Sequence, residues 1–116
     1  MPYIQPELRP KLDIAIDELV LRIRNETEND DKLVCGILNY CITRIILSTI
    51  LRRFGKVRYH LMCMVDGILA NISQEIYRRV TVQYEELKEF ESGDVKEFVE
   101  IDNQLHAEKK KLQGIE

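Results

Sequence analysis

The chain has 116 residues, of which 45% are hydrophobic and 32% are charged, and its formal net charge is -3. This balance is typical of a single folded globular domain and excludes an intrinsically disordered chain. Because the chain carries no basic excess, it does not have the electrostatic character of a protein that binds a nucleic-acid backbone.

All three prolines lie within the first ten residues, so the rest of the chain lacks the strongest helix breaker. We therefore predict an all-α fold, a compact helical bundle of three to four helices with a long third helix and a C-terminal helical extension. Residues 1–116 are expected to form one domain, with a core over 1–93. The extension over 94–116 is a candidate for packing on a partner subunit.

The first helix is predicted over residues 7–25, with Pro10 in its opening turn and one apolar stripe facing the core. The second segment, Leu33–Phe54, is apolar almost all the way round and is followed by Gly55 as a C-terminal cap. We expect this segment to be the central, buried helix of the bundle.

The second helix is also long enough to cross a membrane. Asn39, Thr43 and Arg44 lie near its middle, and an arginine at a bilayer centre costs roughly 2.5–3.5 kcal/mol on insertion scales. We therefore expect a soluble core helix and no membrane partner.

The third helix is predicted over residues 57–88, with one apolar arc that continues through Val80. Arg79 interrupts this arc, so we expect Arg79 to be buried and paired with Glu75, which lies one turn earlier at i,i+4.

A fourth helix begins after Gly93, where Asp94 and Glu97 have the spacing of a capping box. Its end carries three lysines, which suit the negative end of a helix dipole.

Three cysteines lie in apolar surroundings, are odd in number and have no paired spacing: Cys35, Cys41 and Cys63. This pattern indicates buried, reduced thiols of an intracellular protein. The first residues show no secretory signal, and we expect a cytoplasmic location.

No catalytic or metal-binding motif occurs, so we expect a protein that binds rather than catalyses, with no cofactor and no metal. Polar residues that interrupt apolar helix faces are the candidate ligand-binding site: Asn39, Thr43, Glu75, Arg78 and Arg79. Such a cluster either fixes the register of two helices or forms the floor of a pocket in which an arginine holds an anion.

The turn after the second helix supplies a second candidate site, for phosphate: Arg52, Arg53, Lys56 and Arg58. Arginine forks match phosphate oxygens. The alternative is a solvated turn that the acidic tail neutralises, since seven basic and two acidic residues lie between Arg44 and Arg79, and nine acidic and two basic between Thr81 and Glu108.

An acidic cluster near the end of the third helix permits a carboxylate-metal nucleotide pyrophosphohydrolase as a third possibility: Glu85, Glu86, Glu89 and Glu91. The only matching carboxylate pair on another helix is Asp13 and Asp17, on the expected exposed face of the first helix. We rank this enzyme below a binding protein.

Several short motifs run through the chain: Gly-Ile-Leu-Asn-Tyr at 36–40, Glu-Ile-Tyr-Arg-Arg-Val at 75–80, Tyr-Glu at 84–85 and Gly-Asp-Val at 93–95. Together they resemble a family of uncharacterised prokaryotic and phage proteins over most of residues 1–95. The resemblance implies membership of a group without an established activity.

Surplus apolar surface on the second helix indicates a homodimer or higher oligomer. Two functions thus lead the hypotheses: an oligomeric interaction protein with a protein partner, and a protein that sequesters a small phosphorylated molecule such as a nucleotide signal.

Overall fold

The computed structural model of the protein describes residues 3–114. Helices account for most of this range, and no β-strand occurs within it, so the all-α fold class is confirmed. The α-helices in chain order are α1 (Arg9–Glu26), α2 (Leu33–Phe54), α3 (Tyr59–Ile76), α4 (Val82–Ser92) and α5 (Lys96–Leu112).

The first two helices begin and end close to the positions expected from the sequence. A 3-10 turn over Pro6–Leu8 leads into α1, and the proline of the opening turn loses no helical hydrogen bond there. Helix α2 has the predicted bounds, and Gly55 caps it with a φ of 84°. The Gly55 N–H donates to the Leu51 carbonyl at 2.9 Å, which satisfies one of the last free carbonyls of the helix.

The long third segment is helical from α3 to α4, but five residues in its middle, Tyr77–Thr81, form a π-helical segment. The Val82 N–H donates to the Tyr77 carbonyl there, which is an i to i+5 bond. A π turn takes one more residue than an α turn, so side chains beyond it are rotated by roughly 100° against an uninterrupted helix. The continuous apolar arc predicted through Val80 is therefore wrong beyond α3.

Helix α5 begins after Gly93, as expected, but the predicted capping box is wrong. Val95, in extended conformation, occupies the N-cap position, and no side chain caps the helix. The Asp94 carboxylate instead accepts a hydrogen bond from the neighbouring Val95 N–H at 2.7 Å. The three terminal lysines lie in the last turn of α5, as predicted.

The chain divides into two units, Met1–Asn71 and Ile72–Glu116. In the described part of the first unit three hydrophobic side chains are buried, namely Ile50 on α2 with Leu61 and Val65 on α3, and Ile46 packs against them. No side chain is buried in the described part of the second unit. This is less burial than a compact bundle needs within a single chain.

Helix α2 is not the buried centre of the single chain. Ile50 is its only buried residue, and only 6% of its most apolar window is buried. By length and composition alone α2 is able to cross a membrane, a test that core helices of soluble proteins and signal sequences also pass. The expectation of a buried α2 is wrong because hydrophobicity identifies a face to be covered, and does not identify the covering element.

Candidate functional site

Glu75 and two arginines form an ion-pair group where α3 meets the π-helical segment. Arg78 Nη2 lies 2.7 Å from Glu75 Oε2, and Arg79 Nη1 lies 3.4 Å from Glu75 Oε1. The Glu75 side chain is 14% exposed, whereas those of Arg78 and Arg79 are 70% and 61% exposed. The structure thus contains the predicted i,i+4 pair and adds Arg78 to it, but the expectation that Arg79 is buried is wrong.

Two further hydrogen bonds hold the π-helical segment to α4. The Tyr77 hydroxyl donates to Glu85 Oε2 at 2.8 Å, and Gln83 Nε2 donates to the Arg79 carbonyl at 2.8 Å. The bond to Glu85, and then the charge of Glu85, raise the pKa of Tyr77. The segment is therefore fixed by side chains on both sides of it.

A cleft of about 410 Å³ lies beside this group. Arg79, Gln83 and Tyr84 line it together with the apolar side chains of Val80 and Leu87. A guanidinium, an amide and an aromatic ring thus face one opening, and these groups suit an anion attached to a planar ring.

Asn39 and Thr43, the other two members of the predicted polar cluster, lie one turn apart on α2 in the first unit. Both are exposed, so they do not need the internal hydrogen-bond partners that a buried position would require. That Asn39 and Thr43 form one site together with Glu75 and Arg79 stays a prediction.

The basic turn is solvated at all four positions: Arg52, Arg53, Lys56 and Arg58. Arg52 and Arg53 lie in the last turn of α2, where positive charge favours the carbonyl end of the helix dipole. The Arg53 guanidinium carbon lies 5.1 Å from the centre of the Phe54 ring, a cation–π contact. These contacts explain the turn structurally, and its binding of phosphate stays a prediction.

Two of the four predicted acidic residues of α4, Glu86 and Glu89, face a cleft of about 550 Å³ shared with α5, whereas Glu85 accepts a hydrogen bond from Tyr77 and Glu91 pairs with Lys88. Glu86, Glu89, Asp94 and Asp102 line this cleft around Phe90. The nearby charge of Asp94 is the largest cause of a raised pKa at Glu89, followed by desolvation and a hydrogen bond to Asp94. Within residues 3–114 no group of three or more His, Cys, Asp or Glu residues is placed to hold a metal ion.

An open groove between α1 and α2 was not predicted from the sequence. Its volume is about 390 Å³, and its lining combines apolar and polar side chains: Leu19, Tyr40, Cys41, Arg44, Ile45 and Ser48. The available signal was the i, i+4, i+8 spacing of Tyr40, Arg44 and Ser48, which puts three polar groups on one side of an apolar helix.

The three thiols are not buried as a group. Cys35 and Cys63 are exposed, and Cys41 is half-buried in the groove. The expectation of buried thiols is wrong for the same reason as that of a buried α2, because two of these cysteines, Cys35 and Cys41, lie on this uncovered helix.

The helices and these solvent-facing clusters define an all-helical protein with little internal core. The chain belongs to the family described as domain of unknown function DUF6899, whose sequence profile matches residues 1–95. No curated protein and no solved structure matches the chain. The match ends at Val95, directly before helix α5 and one residue after the start of the extension predicted over 94–116.

Proposed function

We propose that the protein is a non-enzymatic, self-associating interaction protein of the cytoplasm, and that α2 supplies the main contact between copies. In this proposal the compact helical bundle forms in the assembly, and not within one chain. The single observation that carries the proposal is the exposure of α2, a helix of 22 residues that is long and apolar enough to cross a membrane but has only one buried residue.

Three large residues show how exposed α2 is. Leu38, Ile42 and Ile45 are 42%, 46% and 53% exposed, and their i, i+4, i+7 spacing puts them on one stripe. Burying apolar surface contributes roughly 25 cal/mol per Å², and soluble monomers rarely leave such a continuous apolar surface in water. A second copy of the same helix is the partner always present at the same concentration.

The test is the mass of the full chain by sedimentation equilibrium. We expect a dimer or larger species at roughly tens of micromolar, and we expect Ile42→Glu with Ile45→Glu to shift it to monomer. Leu105→Glu with Leu112→Glu is the matched control, because these residues of α5 are 64% and 83% exposed and the same two charges are added outside α2. A monomeric wild-type chain at that concentration would refute self-association.

A flotation assay separates self-association from membrane binding. Vesicles of phosphatidylcholine and phosphatidylglycerol are mixed with the full chain, and we expect the protein to remain in the aqueous fraction as an oligomer. Flotation of a chain that is monomeric in buffer would show that lipid, and not a second copy, covers α2.

The cleft beside Arg79 favours a second function, the sequestration of a small phosphorylated molecule. Arg78 and Arg79 both form ion pairs with Glu75, and the ring of Tyr84 lines the same cleft as Arg79. A thermal-shift screen with nucleotides, with and without magnesium, tests this, since a ligand stabilises by RT ln(1 + [L]/Kd). Arg79→Met is expected to abolish a nucleotide-induced shift that Arg22→Met, on α1, leaves intact.

A further inference from the structure

We infer that the groove between α1 and α2 receives the outer face of α1 from a second copy of the chain, with Asp17 of one copy paired to Arg44 of the other. This inference rests on the proposed self-association and names the surfaces that meet. Both surfaces belong to the first unit of the protein.

The groove holds one cation among largely apolar walls. Arg44 lies on α2 between two other lining residues, Tyr40 one turn before it and Ser48 one turn after it. The apolar side chains of Leu19 and Ile45 also line the groove. Within residues 3–71 no carboxylate forms an ion pair with Arg44. A partner that fills this groove must therefore bring apolar side chains and a single negative charge.

The outer face of α1 has that composition. Ile14 and Leu21 are 70% and 54% exposed, and the exposed Asp17 lies between them. Their i, i+3, i+7 spacing makes one stripe about 10 Å long, and the stretch of α2 from Tyr40 to Ser48 is about 12 Å long. The two surfaces match in length and in the order of apolar and charged groups.

Asp17 is directed away from the groove of its own chain. Residues two apart in an α-helix lie roughly 200° apart around its axis, and Leu19 lines the groove. Asp17 therefore lies on the opposite side of α1 and is available to another molecule. The groove and this face of one copy therefore point in opposite directions, so the contact is heterologous. Each copy offers its α1 face to one neighbour and its groove to another, and copies add head to tail.

A single arginine–carboxylate pair in an otherwise apolar contact has a defined role in this geometry. The apolar side chains supply most of the favourable free energy, and the fork of Arg44 restricts α1 to registers that bring a carboxylate to it. A shift by one helical turn in one direction would leave Arg44 without a carboxylate, and in the other direction it would exchange Asp17 for Asp13.

The experiment is a charge exchange followed by sedimentation equilibrium of the full chain. Asp17→Arg and Arg44→Asp are each expected to raise the dissociation constant of the contact by on the order of tenfold or more. The mixture of the two variants is expected to associate again, because a native pair and a reversed pair both form between them. The double variant in one chain is expected to recover self-association.

Two matched controls carry the same charge changes elsewhere in the chain. Glu18→Arg lies one residue from Asp17 but roughly 100° around the helix, and Lys96→Asp, at an exposed position of α5, matches the charge change at Arg44. Both are expected to leave the dissociation constant within about twofold. Far-ultraviolet circular dichroism verifies that each variant stays helical.

A second measurement does not depend on charge reversal. Arg44→Lys keeps the charge and supplies an amine, which a carbodiimide joins to Asp17 as an amide with loss of water. In an equimolar mixture of ¹⁴N and ¹⁵N chains, a cross-linked peptide of mixed label is expected beside the two peptides of single label. Cross-linked peptides of single label without the mixed species would show pairing within a chain and overturn the inference.

The inference and the proposed self-association fail in different ways. If α2 variants dissociate the oligomer while the Asp17 and Arg44 variants leave the dissociation constant unchanged, copies associate but not through this groove. If the wild-type chain is monomeric, both proposals fall together.

Discussion

Tyr77 donates its hydroxyl hydrogen to Glu85, and this bond couples the ionisation of a tyrosine to a neighbouring carboxylate. The hydrogen bond to Glu85 favours the protonated hydroxyl, and the negative charge of Glu85 disfavours a phenolate beside it, so the pKa of Tyr77 is raised. A raised pKa in the folded state stabilises the protein fully below the ordinary tyrosine pKa. This stabilisation is lost as pH rises through the folded pKa.

We therefore expect Tyr77 to titrate above the ordinary tyrosine range. The measurement is phenolate absorbance against pH, and the late-titrating component is expected to vanish in Tyr77→Phe. In Glu85→Gln this component is expected to return to the ordinary range. Tyr59→Phe, which changes a tyrosine that is 86% exposed, serves as the control. A late component that survives Tyr77→Phe would contradict the assignment.

Glu75 offers a test of how much one carboxylate contributes at the π-helical segment. Its side chain is 14% exposed, but both arginine partners are well exposed, so solvent screening weakens the pairs. We expect Glu75→Ala to lower the free energy of unfolding by about 0.5–1 kcal/mol in urea denaturation.

Glu91→Ala is the matched control for Glu75→Ala. Its pair with Lys88 spans 3.4 Å between side chains that are 53% and 78% exposed, so we expect a loss of at most about 0.3 kcal/mol. Equal losses in the two variants would show that the partial burial of Glu75 contributes nothing.

At the scale of single residues, sequence reasoning found the Glu75–Arg79 pair because helical spacing alone places i and i+4 side chains together. It could not find that Arg79 is exposed. The helical-wheel projection that placed Arg79 on the buried face assumed an unbroken α-helix. The π-helical segment rotates the residues that follow it relative to that projection. Proline is a sequence signal for the end of a helix, but the segment Tyr77–Thr81 contains no comparable sequence signal for a π turn.

At the scale of the helices, the C-terminal cap of α2 requires a glycine at position 55. Its φ of 84° is costly for any residue with a Cβ, although no neighbouring atom would touch that Cβ. We expect Gly55→Ala to lower the free energy of unfolding by about 1 kcal/mol, measured by urea denaturation.

Gly67→Ala is the opposite case on α3. The helix is continuous there and an added Cβ meets nothing within 4 Å, so we expect a gain of about 0.5–1 kcal/mol. A loss at both glycines would indicate that a neighbour outside the single chain approaches α3 closely.

The bounds of α1 and α2 could be predicted because proline and glycine mark them. The start of α5 was placed less well. The Asp94–Glu97 spacing fits a capping box, yet Gly93, with a φ of 82°, leads into an extended Val95 that takes the N-cap position. Capping motifs are local patterns, and the conformation of the preceding residues decides whether they form.

For the whole molecule, the reactivity of Cys41 reports on the proposed contact. Cys41 lines the groove that the partner's α1 would cover, whereas Cys63 lies outside it on α3. We expect alkylation of Cys41 by iodoacetamide to slow as protein concentration rises, followed by mass spectrometry of peptides. The rate in Asp17→Arg is expected to stay high at every concentration, and equal rates in wild type and variant would contradict the proposed cover.

At this scale sequence reasoning reached the correct fold class and misplaced the core. The apolar content of α2 was read as burial within one chain, but only Ile50 of that helix is buried. Composition gives the amount of surface that water disfavours and carries no information on which molecule covers it. The groove at Arg44 was missed for a related reason, since grooves arise from the placement of two helices.

An uncovered α2 also links the abundance of the protein to its lifetime in a cell. If association covers this helix, newly made chains below the dissociation constant present it to chaperones and proteases, and chains above that concentration do not. Degradation per molecule then falls as synthesis rises. The steady-state level of the protein then rises more than proportionally with gene dosage. The threshold concentration is set by the dissociation constant of one helical contact.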